Sequence, residues 1–152
     1  MIIPIYNEEN TLLEILNRVN SQSTDEFNLE IIVIDDCSTD GSRKIIESNL
    51  DLVSNYIKLE KNGGKGKAVR EGLKKATGDY ILFQDGDLEY NPEDYNKIFK
   101  VIESFDADII IGSRFLSPEY TRVHYFFHKV GNRTITLIFN LLYNTTFTDI
   151  YS

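Results

Sequence analysis

Short aliphatic runs alternating with stretches of helical periodicity leave this chain few folds. Residues 1–5, 30–34 and 80–83 are strand-length runs of branched or aromatic residues bounded by polar turns, and residues 108–111 repeat the pattern. Runs without polar alternation suit strands buried on both faces. Residues 53–60 form a weaker run of the same kind. Between the runs, Leu12, Ile15, Leu16 and Val19 recur at helical spacing, as do Ala68, Val69, Leu73 and Ala76, and then Tyr95, Ile98, Phe99 and Ile102. Strands joined by helices pair in parallel, so the pattern predicts an α/β fold with a mostly parallel central sheet and helices on both faces. Local signals agree. Thr11 with Glu14 three residues on reads as a capping box, Pro92 suits the first turn of a helix running to about 105, and Gly78 reads as the stop of the helix before it. A single domain accounts for all 152 residues.

Polar clusters follow the predicted strands directly. Tyr6-Asn7-Glu8 follows the first, Asp35-Asp36 the second, Asp85-Gly86-Asp87 the run 80–83, and Gly112-Ser113-Arg114 the run 108–111. In a parallel sheet such loops share one edge, where open α/β sheets bind ligands. Asp85 and Asp87, two residues apart on a turn opened by Gly86, can converge on one hard cation; Mg2+ or Mn2+ prefers carboxylate oxygens and keeps places for substrate phosphates. With twelve Asp in 152 residues, chance alone supplies roughly one Asp-x-Asp. Asp106-Ala107-Asp108 is such a decoy, at the start of a run rather than its end. Placement among the other loops raises Asp85 and Asp87 above it.

Lys plus Arg number 16 against 24 Asp plus Glu, a net charge of −8, which argues against a nucleic-acid binder acting through bulk charge. A lone Cys37 excludes an intrachain disulfide framework and fits a reducing compartment. The first residues do not read as a signal peptide, and no run approaches the ~20 apolar residues of a membrane span. From residue 120 onward the character changes. Val123, Tyr125, Phe126, Phe127 and Val130 interleave with Arg122, His124, His128, Lys129 and Arg133, and a broad apolar face follows to Tyr143. Residues 123–143 therefore read as a core helix, a face for a second copy in a homo-oligomer, or interfacial amphipathic helices lying on a membrane.

Other phosphate motifs fit poorly. Gly66-Lys67 is followed by Ala68 rather than Ser or Thr, and Gly64-x-Gly66 lacks a third Gly. Residues 62–67 are either backbone donors for an anion at a helix N-terminus or a solvated connection.

The segments Ile3-Pro4-Ile5-Tyr6-Asn7-Glu8-Glu9, Ile34-Asp35-Asp36-Cys37-Ser38-Thr39-Asp40-Gly41, Gly64-Lys65-Gly66-Lys67-Ala68, Gln84-Asp85-Gly86-Asp87-Leu88-Glu89 and Gly112-Ser113-Arg114 occur in one order. In that order the chain resembles the family 2 glycosyltransferases of GT-A (Rossmann-like) fold, and within them the dolichol-phosphate mannose synthase and polyprenyl-phosphate glycosyltransferase branch. The resemblance covers residues 1 to about 149, and relatives continue beyond, which reads this chain as truncated at its C-terminus. It implies a nucleotide-diphospho-sugar donor of GDP-mannose or UDP-glucose type, with Pro4, Tyr6, Glu8 and Asp36 around base and ribose, Ile34 or Asp35 nearby, and Lys65 in the Gly-rich loop. Asp85 and Asp87 would bind Mg2+ or Mn2+ on the diphosphate, with Gly86 and Glu89 beside them; the family usually has Ala for Gly86 and Gln for Glu89. The acceptor implied is a polyprenyl or dolichyl phosphate, with Arg114 to clamp a phosphate and Arg133 from the basic stretch. Asp149 would be the base if the acceptor were a sugar hydroxyl. The resemblance places such an enzyme peripherally at the cytoplasmic face of a membrane. A nucleotidyltransferase and a non-catalytic nucleotide-sugar-binding fragment are the other classes that such a nucleotide fold allows.

Overall fold

A computed structural model describes residues 1–24, 27–105, 107–113 and 126–150, in two compact units that divide after Lys100. The first unit runs β1 (Ile2–Ile5), α1 (Leu12–Asn20), β2 (Ile32–Asp35), α2 (Ser42–Glu47), β3 (Asn55–Lys58) and α3 (Lys65–Leu73). The strands form a parallel sheet in the order β1-β2-β3, with Ile3 opposite Val33 and Ile34 opposite Ile57. Ile2, Ile3, Ile32, Val33 and Ile34 are fully buried, as continuous aliphatic runs require when both faces of a sheet are covered.

The connections decide which face each helix takes. From β1 to β2 to β3 the chain steps one way across the sheet. After α3 it returns to the far side of β1, where Ile2 bridges Phe83 in parallel. Right-handed crossovers then set α1 and α2 on one face and α3 on the other. Gly72 of α3 makes the second contact close. It is buried, and a Cβ there would lie 2.7 Å from Ile34 Cδ1 and 2.9 Å from Ile2 Cγ2. Ile2, Ile32, Ile34 and Ala68 form the core on this side. Gly72→Val is therefore expected to overpack the helix–sheet contact and cost about 2 kcal/mol in urea unfolding. The reversal of direction between β1 and residue 83 is a topological switch point, where a doubly wound sheet opens a crevice at its strand ends.

Three expectations change. The run 80–83 is not a buried strand. The Ile2 amide donates to the Leu82 carbonyl at 2.8 Å and the Gln84 amide to the Ile2 carbonyl at 3.1 Å, but Tyr80 is 60% and Phe83 54% exposed. The described residues of its unit give it ladder bonds on its β1 side alone. Residues 108–111 form no strand, and Ile109 is 65% exposed. Finally, α3 stops at Leu73, before Gly78. Beyond the helix Glu30 anchors Thr77, accepting from its amide at 2.8 Å and its hydroxyl at 3.0 Å.

Helix α4 (Tyr95–Ser104) follows a 3-10 turn, Pro92–Asp94, as the proline predicts. Tyr95 and Phe99 are buried, and the Phe99 ring stacks on Phe27 with centroids 4.2 Å apart. In the second unit α5 (Phe126–Tyr143) ends at Asn144, whose φ of 52° turns the chain. Asn140 holds the returning segment: its Oδ1 accepts from the Thr145 hydroxyl at 2.8 Å and the Phe147 amide at 3.0 Å.

Candidate active site

The two loops after β1 and β2 zip together through their own hydrogen bonds. The Asn7 amide donates to Ser38 Oγ at 3.0 Å, the Glu8 amide to Ser42 Oγ at 2.8 Å, and the Glu9 amide to Asp40 Oδ2 at 3.1 Å. In return the Thr39 amide donates to Asn7 Oδ1 at 2.8 Å and the Gly41 amide to Glu9 Oε2 at 2.6 Å. Asn7 and Cys37 take positive φ, 58° and 67°, to make the turns. The reciprocal bonds satisfy backbone donors that strand ends leave open.

Asp35 and Asp36 diverge. Asp35 is fully buried; its Oδ1 accepts from the Ser38 amide at 2.7 Å and its Oδ2 from Arg43 Nε at 2.7 Å. Burial pushes its carboxyl up, but the Ser38 bonds and the Arg43 guanidinium together outweigh this and hold it below the usual range. A depressed folded value means that its contribution is complete above the ordinary carboxylate value and is lost as pH falls through the depressed one. The stability difference between wild type and Asp35→Asn in urea is therefore expected to shrink as pH falls from about 5 to about 2. Asp36, 3% exposed, instead accepts from the Gly63 amide at 2.8 Å and the Gly64 amide at 2.6 Å. Those two amides face a carboxylate of the protein, so Asp36 clasps a Gly-rich loop whose residues 61–66 are exposed.

The turn at 85–87 closes the arrangement. Gln84, 2% exposed, donates from Nε2 to the Asp85 carbonyl at 3.0 Å and accepts from the buried Tyr95 hydroxyl; burial pushes that phenol up. Asp87 Oδ1 accepts the Glu89 amide at 3.0 Å. Asp85 Oδ1 lies 2.5 Å from the Lys65 ammonium at the start of α3. Pro4, Ile5, Tyr6, Glu8, Asp36, Lys65, Ala68 and 85–87 surround one cleft of about 300 Å3.

Of the residues singled out by sequence, Pro4, Tyr6, Glu8, Asp36, Lys65, Asp85, Gly86 and Asp87 meet at this cleft. Ile34 does not line it: strand alternation turns its side chain into the α3 core. Asp35 does not line it either, because it is committed to Arg43 and Ser38. Glu89 is exposed and outside the lining. Arg114 lies outside the described residues. Arg133 and Asp149 belong to the second unit, Arg133 exposed and Asp149 1% exposed, accepting from Asn132 Nδ2 at 3.0 Å. Sequence reading gives no individual role to Asn7, Ser38, Ser42 and Gln84, although Asn7, Ser38 and Gln84 lie in the segments that it singles out; the small polar run 37–42 after β2 is the signal for Ser38 and Ser42.

The donor set fits a divalent cation shared with a ligand. Asp85 already faces one cationic group, the Lys65 ammonium, and Asp87 follows it one residue after Gly86. The described residues hold no group of three or more His, Cys, Asp or Glu that would cage a metal alone. Two carboxylates with phosphate oxygens completing the shell is the usual arrangement for Mg2+.

The sequence model described as Glycosyl transferase family 2 matches residues 1–150. This chain belongs to that family. Its GT-A fold is shared with solved relatives. Staphylococcus aureus TarS 1–349 with UDP-GlcNAc superposes at a TM-score of 0.60, with 30% identity over 76% of this chain and 37% of that one. The mannosyltransferase PcManGT from Pyrobaculum calidifontis, with GDP-Man and Mn2+, gives a TM-score of 0.50 and 32% identity, covering 57% of this chain and 26% of that one. The dolichol-phosphate mannosyltransferase of Pyrococcus furiosus is 34% identical over 142 residues, 91% of this chain and 39% of its own length. This family 2 chain thus spans only part of the curated relatives that it matches.

Proposed function

We propose that this chain is the donor-binding part of an inverting, metal-dependent hexosyltransferase that moves a sugar from a nucleotide-diphospho-sugar to a polyprenyl or dolichyl phosphate. One observation carries the reading: Asp85, Gly86 and Asp87 converge with Tyr6, Glu8, Asp36 and Lys65 on a single cleft at the switch point of the sheet. Tyr6 and Glu8 border base and ribose, beside Asp36 and the loop that it clasps. Asp85 and Asp87 face the diphosphate and would hold Mg2+ or Mn2+. A cation held by them would supply Lewis-acid stabilisation of the charge on the departing nucleoside diphosphate. Lys65 offers a second positive charge to the same oxygens once it leaves Asp85. PcManGT was solved with GDP-Man and Mn2+, which supports this donor class.

The C1–O bond to the diphosphate breaks with its electron pair on the leaving oxygen, while an acceptor phosphate oxygen bonds C1 from the opposite face. That acceptor is an anion near neutral pH, so no base need remove a proton. Arg114 and Arg133 are the proposed phosphate contacts. A sugar hydroxyl acceptor would need a carboxylate base. Asp149, buried and accepting from Asn132, is the candidate for that base.

The lipid acceptor also fits α5. In a chain of net charge −8 this helix carries no acidic residue, and Phe127, Leu141 and Leu142 are 82%, 75% and 74% exposed. No helix of the described residues is long and apolar enough to cross a membrane. An interfacial position at the cytoplasmic face accounts for the exposed apolar residues of a helix without acidic ones; a second copy covering the helix is the competing account. The test is a panel of UDP- and GDP-sugars with Mn2+, read by thermal shift and then by transfer to a short polyprenyl phosphate. Stabilisation by a sugar nucleotide only when Mn2+ is present, followed by transfer, supports the reading; stabilisation indifferent to Mn2+ contradicts it.

A further inference from the structure

We propose that Thr11 is a positioning residue that sets the Asp85-Gly86-Asp87 turn against the loop carrying Glu8. Thr11 occupies the N-cap of α1, where a threonine hydroxyl ordinarily accepts an amide of the first helical turn. Here it makes no cap bond. Its Oγ1 lies instead 3.0 Å from the Gly86 carbonyl, 3.1 Å from Glu8 Oε2 and 3.4 Å from the Glu8 carbonyl. A hydroxyl carries one proton and all three neighbours only accept, so that proton is shared between the Gly86 carbonyl and Glu8, and the hydroxyl holds the two together.

The neighbouring contacts show why that bond matters. On the other flank Gln84 Nε2 holds the Asp85 carbonyl at 3.0 Å. Two successive carbonyls of the turn are thus tied down by side chains. Gly86 is buried, and a Cβ on it would sit 2.9 Å from Ile5 Cγ2 and 3.3 Å from Glu8 Cγ. The turn is seated on β1 and its loop with no spare room. Thr11 does not line the cleft, so it acts through the backbone between the two carboxylates. The same hydroxyl also touches Glu8, which places the proposed ribose side and metal side of the cleft in one register.

The inference rests on the metal-diphosphate reading above, and the experiment separates the two. Mn2+ is titrated calorimetrically into wild type, Thr11→Val, Thr11→Ser and Thr11→Ala with UDP or GDP as the probe, and melting temperatures are taken alongside. Thr11→Val is expected to raise the half-saturating Mn2+ concentration about fivefold, the size of effect of one neutral hydrogen bond, with nucleotide affinity in the absence of metal unchanged. Thr11→Ser, which keeps the hydroxyl, is expected to bind like wild type. Thr11→Ala makes the same test if the valine variant does not fold. Equal Mn2+ half-saturation in wild type and the Val or Ala variant, with or without a lower melting temperature, overturns the role of Thr11 alone, as does a serine variant as weak as valine. No Mn2+-dependent nucleotide binding in wild type overturns the donor reading and this inference with it.

Discussion

Asp87→Asn is expected to lower sugar transfer by about 100-fold or more while leaving the fold in place. The substitution keeps the shape of the side chain. Asn Oδ1 can still accept the Glu89 amide, as Asp87 Oδ1 does at 3.0 Å, so the turn has no reason to move. Only the negative charge facing the proposed cation is removed. Asp85→Asn is expected to act in the same direction and also to free Lys65, its partner at 2.5 Å. Neither position supports the core: the Asp85 side chain is 30% exposed and its ion pair is with a lysine 64% exposed, a type of pair that contributes little to stability. Initial rates at saturating donor over a Mn2+ series, with melting curves for each variant, make the check. A threefold change or less at Asp87 would count against the assignment.

Gly64→Ala is expected to cost about 1–3 kcal/mol of stability and roughly tenfold in donor affinity. Gly64 sits at φ 80°, ψ 163°, a region open essentially to glycine alone. A Cβ there meets nothing within 4 Å, so the penalty is torsional and cannot be relieved by moving a neighbour. The chain either retains the strain or rotates. Rotation withdraws the Gly63 and Gly64 amides from Asp36, which is 3% exposed and holds them at 2.8 and 2.6 Å. Lys65, the next residue, would move with them. Gly66→Ala is the control. Gly66 lies within α3 and a Cβ there also meets nothing within 4 Å, so alanine is expected to be neutral or mildly stabilising. Urea unfolding and calorimetric titration of both variants with Mn2+ and a sugar nucleotide separate backbone strain from the mere loss of a glycine.

What the sequence made legible follows from the range of the forces involved. Strands β1 and β2 and the buried faces of α1 and α4 were readable because continuous branched aliphatics and helical spacing are local patterns. The run 80–83 has the same composition, but periodicity does not count partners, and this segment is laddered to β1 on one side. Residue type marks Thr11 as a cap, yet its hydroxyl reaches the Gly86 carbonyl, 75 positions away, and no window along the chain contains that alternative. Asp35 and Asp36 are adjacent and identical in type, so sequence named both. Asp35 ends β2 and binds Arg43, while Asp36, just past the strand, binds the Gly-rich loop beside the cleft. Ile34 was carried in by its neighbours in the motif and belongs to the core. Loop-to-loop bonds such as Asn7 to Ser38 and Glu8 to Ser42 were hidden for the same reason as the Thr11 bond: each joins residues more than thirty apart.

The central claim is that Asp85 and Asp87 hold a cation which in turn holds the diphosphate of a sugar nucleotide. Anomalous diffraction at the manganese edge, from crystals grown with Mn2+ and a nucleoside diphosphate, tests it directly. The account predicts a peak at coordination distance, ~2–2.5 Å, from a carboxylate oxygen of Asp85 or Asp87 and from a phosphate oxygen of the nucleotide. A nucleotide bound in the cleft with the manganese peak elsewhere, or with both carboxylates turned away from it, would contradict it.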